Sequence, residues 1–134
     1  MRANKHSLDS IFRQVHTRPV NRWKVIETES FDDWFAQIDE KAQEDIYVKV
    51  EMLAELGPSL RRPFVDTIKE SRYANMKELR VQSKGRPFRI FFSFDPKRRA
   101  VLLIGGDKTG KKRFYQEMVT HADRIYKNFL KELE

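Results

Sequence analysis

The residues of this chain that could do chemistry are concentrated between positions 76 and 115. This stretch holds 12 lysines and arginines but three acids, so its net charge of +9 exceeds the +7 of the whole chain. The sequence has no cysteine, which excludes thiolate chemistry and Cys-based zinc sites, and His6, His16 and His121 lack metal-ligand spacing. Guanidinium and ammonium groups are suited to phosphate recognition. The sequence therefore indicates an anion site that uses neither a metal nor another cofactor.

Length and composition bound the class of protein. A chain of 134 residues suits one domain with one core. A pI near 9.7 favours nucleic acid, an anionic membrane or an acidic protein as partner. No apolar run approaches the roughly 18 residues of a transmembrane helix, and no secretory signal is recognisable. We therefore expect a soluble, cytoplasmic protein.

The chain divides into a basic tail, residues 1–22, and a folded domain, residues 23–134. The tail has few large apolar residues, and Pro19 marks a break before the β-rich segment 23–28, which predicts a first strand. A nucleic-acid-binding arm and an accessory tail are both open interpretations of residues 1–22.

Apolar residues at spacings of three and four predict a helical region between Phe31 and Leu53, with Ser30 at its start. Gly57-Pro58 ends it. One long helix and a hairpin broken near residues 39–41 fit the pattern equally. Residues 59–75 are predicted to be mainly loop, and an apolar stripe from Phe114 to Leu130 predicts a C-terminal helix.

Three hairpin-linked strands are predicted between these helical regions. Alternation in the first places Leu79 and Val81 on one face and Arg80 on the other. In the second, Arg89 shares its face with Phe91 and Ser93, and the face opposite holds Phe88, Ile90, Phe92 and Phe94. The third strand, residues 99–104, follows a turn that begins at Asp95. These strands form an antiparallel meander.

Turn length decides how the two arginines meet. A two-residue Lys84-Gly85 turn pairs Arg80 directly with Arg89, whereas a four-residue loop places them diagonally. In either register both arginines lie on one face of the sheet. Like charges in that position destabilise a sheet unless an acid, a solvent-exposed edge or an anionic ligand compensates. Glu78 lies on the same face and supplies part of that compensation.

A glycine-bounded basic loop follows the last strand. Gly105, Gly110 and Lys111 have the spacing of a phosphate-binding P-loop, but Lys112 stands where magnesium binding needs Ser or Thr, and the sheet is antiparallel. Nucleotide hydrolysis is thus disfavoured. A basic helix start, with Thr109 as its N-cap, attracts phosphate, and a solvated cationic helix start remains the alternative interpretation.

At this point the sequence resembles the RelE/ParE superfamily of bacterial toxins, and within it the HigB-like, phage-derived branch. The resemblance covers about residues 23–130 and is carried by the Glu-Leu-Arg strand, the Gly-Arg-Pro-Phe-Arg-Ile strand and the strand ending in Gly-Gly-Asp-Lys-Thr-Gly. It implies an α+β, RelE-like fold, in which an N-terminal strand and a helical hairpin pack on an antiparallel meander sheet with a C-terminal helix.

The resemblance also implies site residues. The catalytic set falls on Arg80, Arg89, Lys108 and Tyr115, although Phe114 makes the tyrosine alignment ambiguous. Further contacts to RNA fall on the remaining cations of the stretch: Lys77, Lys84, Arg86, Lys111, Lys112 and Arg113. Where well-known members carry lysines along the first of these strands, this chain has Met76 and Glu78, which leaves the proton-transfer groups open.

The implied function is that of a type II toxin, a metal-independent endoribonuclease (mRNA interferase) that cuts mRNA on the ribosome through attack by the 2′-hydroxyl. Arg80 and Arg89 would stabilise the phosphorane, and Tyr115 would act as base or stacking platform. Because a tyrosine of pKa near 10 is a poor base, either cations lower that pKa or the ribosome supplies the alignment. A DNA gyrase inhibitor and a non-catalytic RNA-binding protein remain alternatives. The implied partner is a small helix-turn-helix antitoxin.

Overall fold

A computed structural model describes residues 22–133. The predicted tail lies outside the described residues except for Arg22, and so do His6 and His16. Within the described part the elements are β1 (Lys24–Glu27), α1 (Glu29–Phe35), α2 (Glu40–Leu56), β2 (Val65–Thr67), β3 (Met76–Ser83), β4 (Arg86–Phe94), β5 (Arg99–Asp107) and α3 (Phe114–Glu132). The predicted α+β class is confirmed. None of these three helices combines the length and apolar composition that spanning a bilayer requires.

The five strands form one mixed sheet in the order β1-β5-β4-β3-β2. The predicted antiparallel meander is present as β3, β4 and β5, while β1 adds to the far edge of β5 in parallel. Lys84 and Gly85 form the two-residue turn between β3 and β4, both with positive φ. This turn fixes the shorter of the two registers considered, in which Arg80 is paired directly with Arg89.

Helices α1 and α2 cover one face of the sheet. The open question of one helix or two is settled by a break at residues 36–39, after which the Asp39 side chain accepts a hydrogen bond from the Ala42 amide at 3.3 Å. The predicted start at Ser30 is two residues late, because Thr28 is the N-cap and accepts from the Phe31 amide. The core on this face includes the residues that alternation assigned to it, among them Leu79, Val81, Phe88, Ile90 and Phe92.

Helix α3 covers the opposite face. Its buried residues Phe114, Val119, Ala122 and Tyr126 pack on a second apolar cluster that includes Phe91. A bulge in the β4–β5 pairing helps to build this cluster: Phe91 pairs with Ile104 and Phe92 with Leu102, so Leu103 has no partner and joins Ile104 on the α3 side.

The segment predicted as mainly loop, residues 59–75, contains one strand, β2, whose three residues are too few to produce a readable alternation. The predicted cap of α3 and the predicted end of β5 were wrong. Thr109 does not cap α3, because its hydroxyl donates to Asp107 and the helix begins five residues later at Phe114 with no side-chain cap. Strand β5 continues through Gly105 and Gly106 to Asp107, beyond its predicted end.

Gly105 allows the Trp34 indole to lie against β5, and its replacement tests this packing. A Cβ at this position would stand 2.3 Å from the indole ring. We therefore expect Gly105→Ala to lower the free energy of unfolding by about 1–3 kcal/mol, measured by chemical denaturation. Gly85→Ala is the control. A Cβ added at Gly85 would have no atom within 4 Å, so this substitution introduces only the strain of the positive φ. A Gly105→Ala protein as stable as the wild type would contradict this packing.

Candidate functional site: an arginine pair around a buried carboxylate

The site is built on the direct pairing of Arg80 with Arg89 across β3 and β4. Glu78, on the same face of β3, resolves the expected repulsion. Its oxygen Oε2 accepts from Nε and Nη2 of Arg80 at 3.1 and 3.0 Å, and Oε1 lies 3.6 Å from Nε of Arg89. The Glu78 side chain is only 4% exposed, against 34% for Arg80 and 13% for Arg89. The carboxylate is thus a buried counter-charge beneath two arginines.

Tyr115, in the first turn of α3, adds a fourth group to this cluster. Its hydroxyl donates to Oε1 of Glu78 at 2.7 Å and accepts from Nε of Arg89 at 3.3 Å. Burial raises the pKa of Tyr115, and the hydrogen bond to Glu78 raises it further. Arg89 acts to lower this pKa, but burial and Glu78 outweigh it, so the net pKa of Tyr115 is raised. This corrects one of the two ways in which a tyrosine base was expected to work. At neutral pH Tyr115 is a phenol that donates to a carboxylate.

Lys108 stands directly after β5 and reaches the same tyrosine. Its ammonium lies 5.3 Å from the centroid of the Tyr115 ring, and its backbone amide donates to the Pro87 carbonyl at 2.9 Å. Asp107 stabilises the turn that follows, because its Oδ1 accepts from the amide and the hydroxyl of Thr109. The structure thus brings together all four residues predicted to be catalytic.

Gly106 explains how α3 comes so close to the arginines. It pairs with Arg89, and a Cβ there would stand 2.9 Å from the Phe114 ring. The missing side chain leaves room for Phe114 to be buried in the core, and the next residue, Tyr115, then faces Glu78. Of the two aromatic residues, Phe114 is therefore buried and Tyr115 lies beside the arginine pair.

A second carboxylate holds Arg80 from the other side. Asp66 of β2 accepts from Nη2 of Arg80 at 3.1 Å and pairs with Arg62 at the same distance. Within residues 22–133, Nη1 of Arg80 and Nη2 of Arg89 donate no hydrogen bond. These donors are available to an anion at the surface of the cluster.

The six cations predicted to contact RNA separate into two groups. Lys111, Lys112 and Arg113 are exposed in the loop that begins at Lys108, and Lys84 is exposed at the tip of the β3–β4 turn. Two others lie on the face of α1 and α2, away from the arginine pair. Lys77 donates to Thr67 at 3.0 Å, and Arg86 pairs with Asp39 at 2.8 Å, which lowers the pKa of Asp39 to about 2. These two are engaged in contacts within the fold.

Sequence reasoning underestimated two members of the site. Glu78 was considered only as a partial counter-charge, although its position two residues before Arg80 puts it on the same face. Asp66 was not predicted as a member of the site, because β2 has three residues and is too short to show an alternation of apolar and polar positions. In the described part of the chain no group of three His, Asp or Glu residues could hold a metal ion.

Comparison with known proteins identifies relatives over most of the chain. The family of phage-derived Gp49-like proteins matches residues 33–127. A candidate toxin of Mycobacterium tuberculosis named HigB2 is 39% identical over 110 residues, which is 81% of this chain and 55% of that protein. A candidate toxin named HigB3, from the same organism, is 40% identical over 107 residues, or 79% of this chain and 92% of that protein. The chain thus spans about half of the first relative and nearly all of the second. No solved structure matches significantly.

The titration of Tyr115 tests the geometry around Glu78. Because its folded pKa is raised, Tyr115 should titrate above pH 10, and the stability it contributes should be present below pH 10 and lost as pH rises through the folded pKa. In Glu78→Gln the pKa of Tyr115 should fall, since an amide does not disfavour the phenolate as a carboxylate does. The pKa of Tyr115 in the wild type and in Glu78→Gln is measured from the ¹³Cζ NMR signal of labelled tyrosine. The Tyr115 signal is assigned by its absence from the Tyr115→Phe protein. Glu117→Gln is the control, and a wild-type pKa below 10 would contradict the arrangement.

Proposed function

Because this chain belongs to the Gp49-like family of phage-derived proteins, the HigB-like branch that its sequence resembles, we propose that it is the toxin of a type II toxin–antitoxin system and cuts mRNA on the ribosome. Two relatives at about 40% identity are named as candidate toxins. The observation that carries the proposal is the Arg80–Arg89 pair around Glu78, in contact with Tyr115 and close to Lys108.

The arginine pair supports phosphoryl chemistry. The 2′-oxygen of a ribose attacks the adjacent phosphate, the new P–O bond forms, and the bond to the 5′-oxygen breaks. The unused donors of Arg80 and Arg89 would bind the negative charge that develops on the phosphorane. Because Glu78 and the strand pairing hold both guanidinium groups in place, little reorganisation would be needed in the transition state. The products would carry a 2′,3′-cyclic phosphate and a 5′-hydroxyl.

The Tyr115–Glu78 hydrogen bond supports a route for the proton. A phenol with a raised pKa is a poor base by itself. In this pair, however, Tyr115 can accept the proton of the 2′-hydroxyl while it passes its own proton to Oε1 of Glu78, 2.7 Å away. No free phenolate is needed. Lys108, beside the tyrosine ring, would donate the proton that the leaving 5′-oxygen requires.

The exposed loop after β5 would hold the RNA backbone. Lys111, Lys112 and Arg113 continue from Lys108 at the surface and would contact phosphates on one side of the scissile bond. Ribosome dependence fits this division of roles, since the ribosome would present a single-stranded codon to a small, strongly basic protein. The partner of the free toxin would be a small helix-turn-helix antitoxin encoded beside it.

The decisive experiment is induction of the protein alone in bacterial cells, followed by mapping of new mRNA 5′ ends. We expect growth arrest and cuts within translated codons. Arg89→Ala should reduce cleavage by about 100-fold or more, since removal of one charge-stabilising donor has effects of that size. Arg124→Ala, an exposed arginine farther along α3, is the matched control and should remain toxic.

The other outcomes identify the alternatives. A DNA-damage response with intact mRNA would identify a gyrase inhibitor, and no growth arrest would favour a non-catalytic RNA-binding protein. A fully toxic Arg89→Ala protein would refute the proposed anion site.

The proton route has its own test in ribosome cleavage assays. Tyr115→Phe and Glu78→Gln should each lower the cleavage rate by about 10²- to 10⁴-fold, because each interrupts proton transfer. Combining them should add little, because both interrupt one route. Tyr73→Phe, which changes a tyrosine that packs on Tyr126, is the control. Additive losses in the double variant would contradict a shared proton route.

A further inference from the structure

A pocket of about 400 Å³ lies beside the arginine pair and has no role in the chemistry described above. Its lining includes Arg80 and Arg89 themselves, and the other lining residues are Lys49, Pro63, Phe64, Gln82 and Pro87. We call it the Phe64 pocket. Its volume is that of a small-molecule site.

The Phe64 pocket is built at the open edge of β3. Strand β2 pairs with β3 only as far as Leu79, and the Phe64 carbonyl then accepts from the Arg80 amide at 2.8 Å. This bond sets Phe64 beside the outer end of β3. On the sheet itself Gln82 pairs with Pro87, next to the Arg80–Arg89 pair. The pocket and the anion site therefore share a wall made of both arginines.

The lining combines flat apolar surface with polar groups that are free to bind. Phe64 and Pro87 supply the apolar surface, and the Lys49 ammonium lies 4.9 Å from the Phe64 ring centroid. Lys49 therefore covers one face of the Phe64 ring, and a base would pack against the part of the ring that the ammonium leaves uncovered. Gln82 is exposed and forms no side-chain hydrogen bond within the described residues. Aromatic and proline surfaces beside a free amide suit a planar ring with a polar edge.

We propose that the Phe64 pocket binds a nucleobase of the RNA, adjacent to the phosphate held by Arg80 and Arg89, and that it selects guanine. The base would lie against Phe64 and Pro87, with its edge toward Gln82. Once Arg80 and Arg89 hold the phosphate, Lys49 can only donate hydrogen bonds to the base, and Gln82 can donate through its amide nitrogen, so two donors remain in the pocket. Guanine presents two adjacent acceptors, O6 and N7, whereas adenine presents one acceptor beside a donor. This inference rests on the proposed function in that RNA is the ligand.

Binding of mononucleotides to the free protein tests the pocket without any cleavage. Guanosine 3′-monophosphate, the corresponding nucleotides of adenine, cytosine and uracil, and ribose 5-phosphate are titrated separately into ¹⁵N-labelled protein, with the Gln82 side-chain amide signal as reporter. We expect the guanine nucleotide to bind about 10-fold more tightly than ribose 5-phosphate, since stacking of one base contributes on that scale. The other three nucleotides should bind more weakly than guanine.

Two variants assign the effect to the pocket. Gln82→Ala changes an exposed side chain. It should weaken binding of the guanine nucleotide several-fold and leave binding of ribose 5-phosphate unchanged. Gln37→Ala, an exposed glutamine between α1 and α2, is the matched control. Phe64→Leu should weaken binding of all four nucleotides. The melting temperature of this variant shows whether it is folded.

The proposal is overturned if ribose 5-phosphate binds as tightly as the nucleotides, if the four bases bind equally, or if Gln82→Ala binds like Gln37→Ala. These results are independent of mRNA cutting. A protein that leaves mRNA intact can still select guanine, and a ribonuclease can fail to do so.

Discussion

The carboxylate of Glu78 is the group on which the rest of this structure depends. Two guanidinium groups on directly opposed residues of neighbouring strands repel each other, and like charges in that position destabilise a sheet. A buried anion within hydrogen-bonding distance of one and 3.6 Å from the other converts that repulsion into attraction. The same carboxylate accepts from Tyr115 and so ties α3 to the sheet. One side chain therefore links the middle of the sheet to the last helix.

The balance of charge around Glu78 leaves the cluster positive. Asp66 is shared between Arg80 and Arg62, so Glu78 remains the main counter-charge for Arg80 and Arg89, and Lys108 adds another cation beside Tyr115. Full neutralisation by acidic side chains would have made a structural ion-pair network. Partial neutralisation keeps the arginines fixed while their outer donors still favour an anion.

Strand alternation explains why much of this site was predictable. A period of two and a two-residue turn determine which side chains share a face, so Arg80 and Arg89 could be placed together from sequence alone. The same reasoning placed Glu78 with them, but it could not give the side-chain geometry that makes Glu78 the centre. The cap of α3 was predicted wrongly, because no side chain caps that helix and its first residue, Phe114, packs against Gly106 instead. The parallel partner of β1 was also missed, since a four-residue strand carries no signal of its neighbour.

That parallel pairing has a consequence for how the protein is made. Thr28, just after β1, is joined to Leu103 of β5 across 75 residues, whereas β3 and β4 are joined by a two-residue turn. Contacts between distant residues form late, because the intervening chain must first be ordered. During synthesis β1 cannot pair until β5 has been made, and Glu78 cannot bond to Tyr115 until the chain has been made as far as α3. The site therefore cannot assemble until the chain has been synthesised beyond Tyr115.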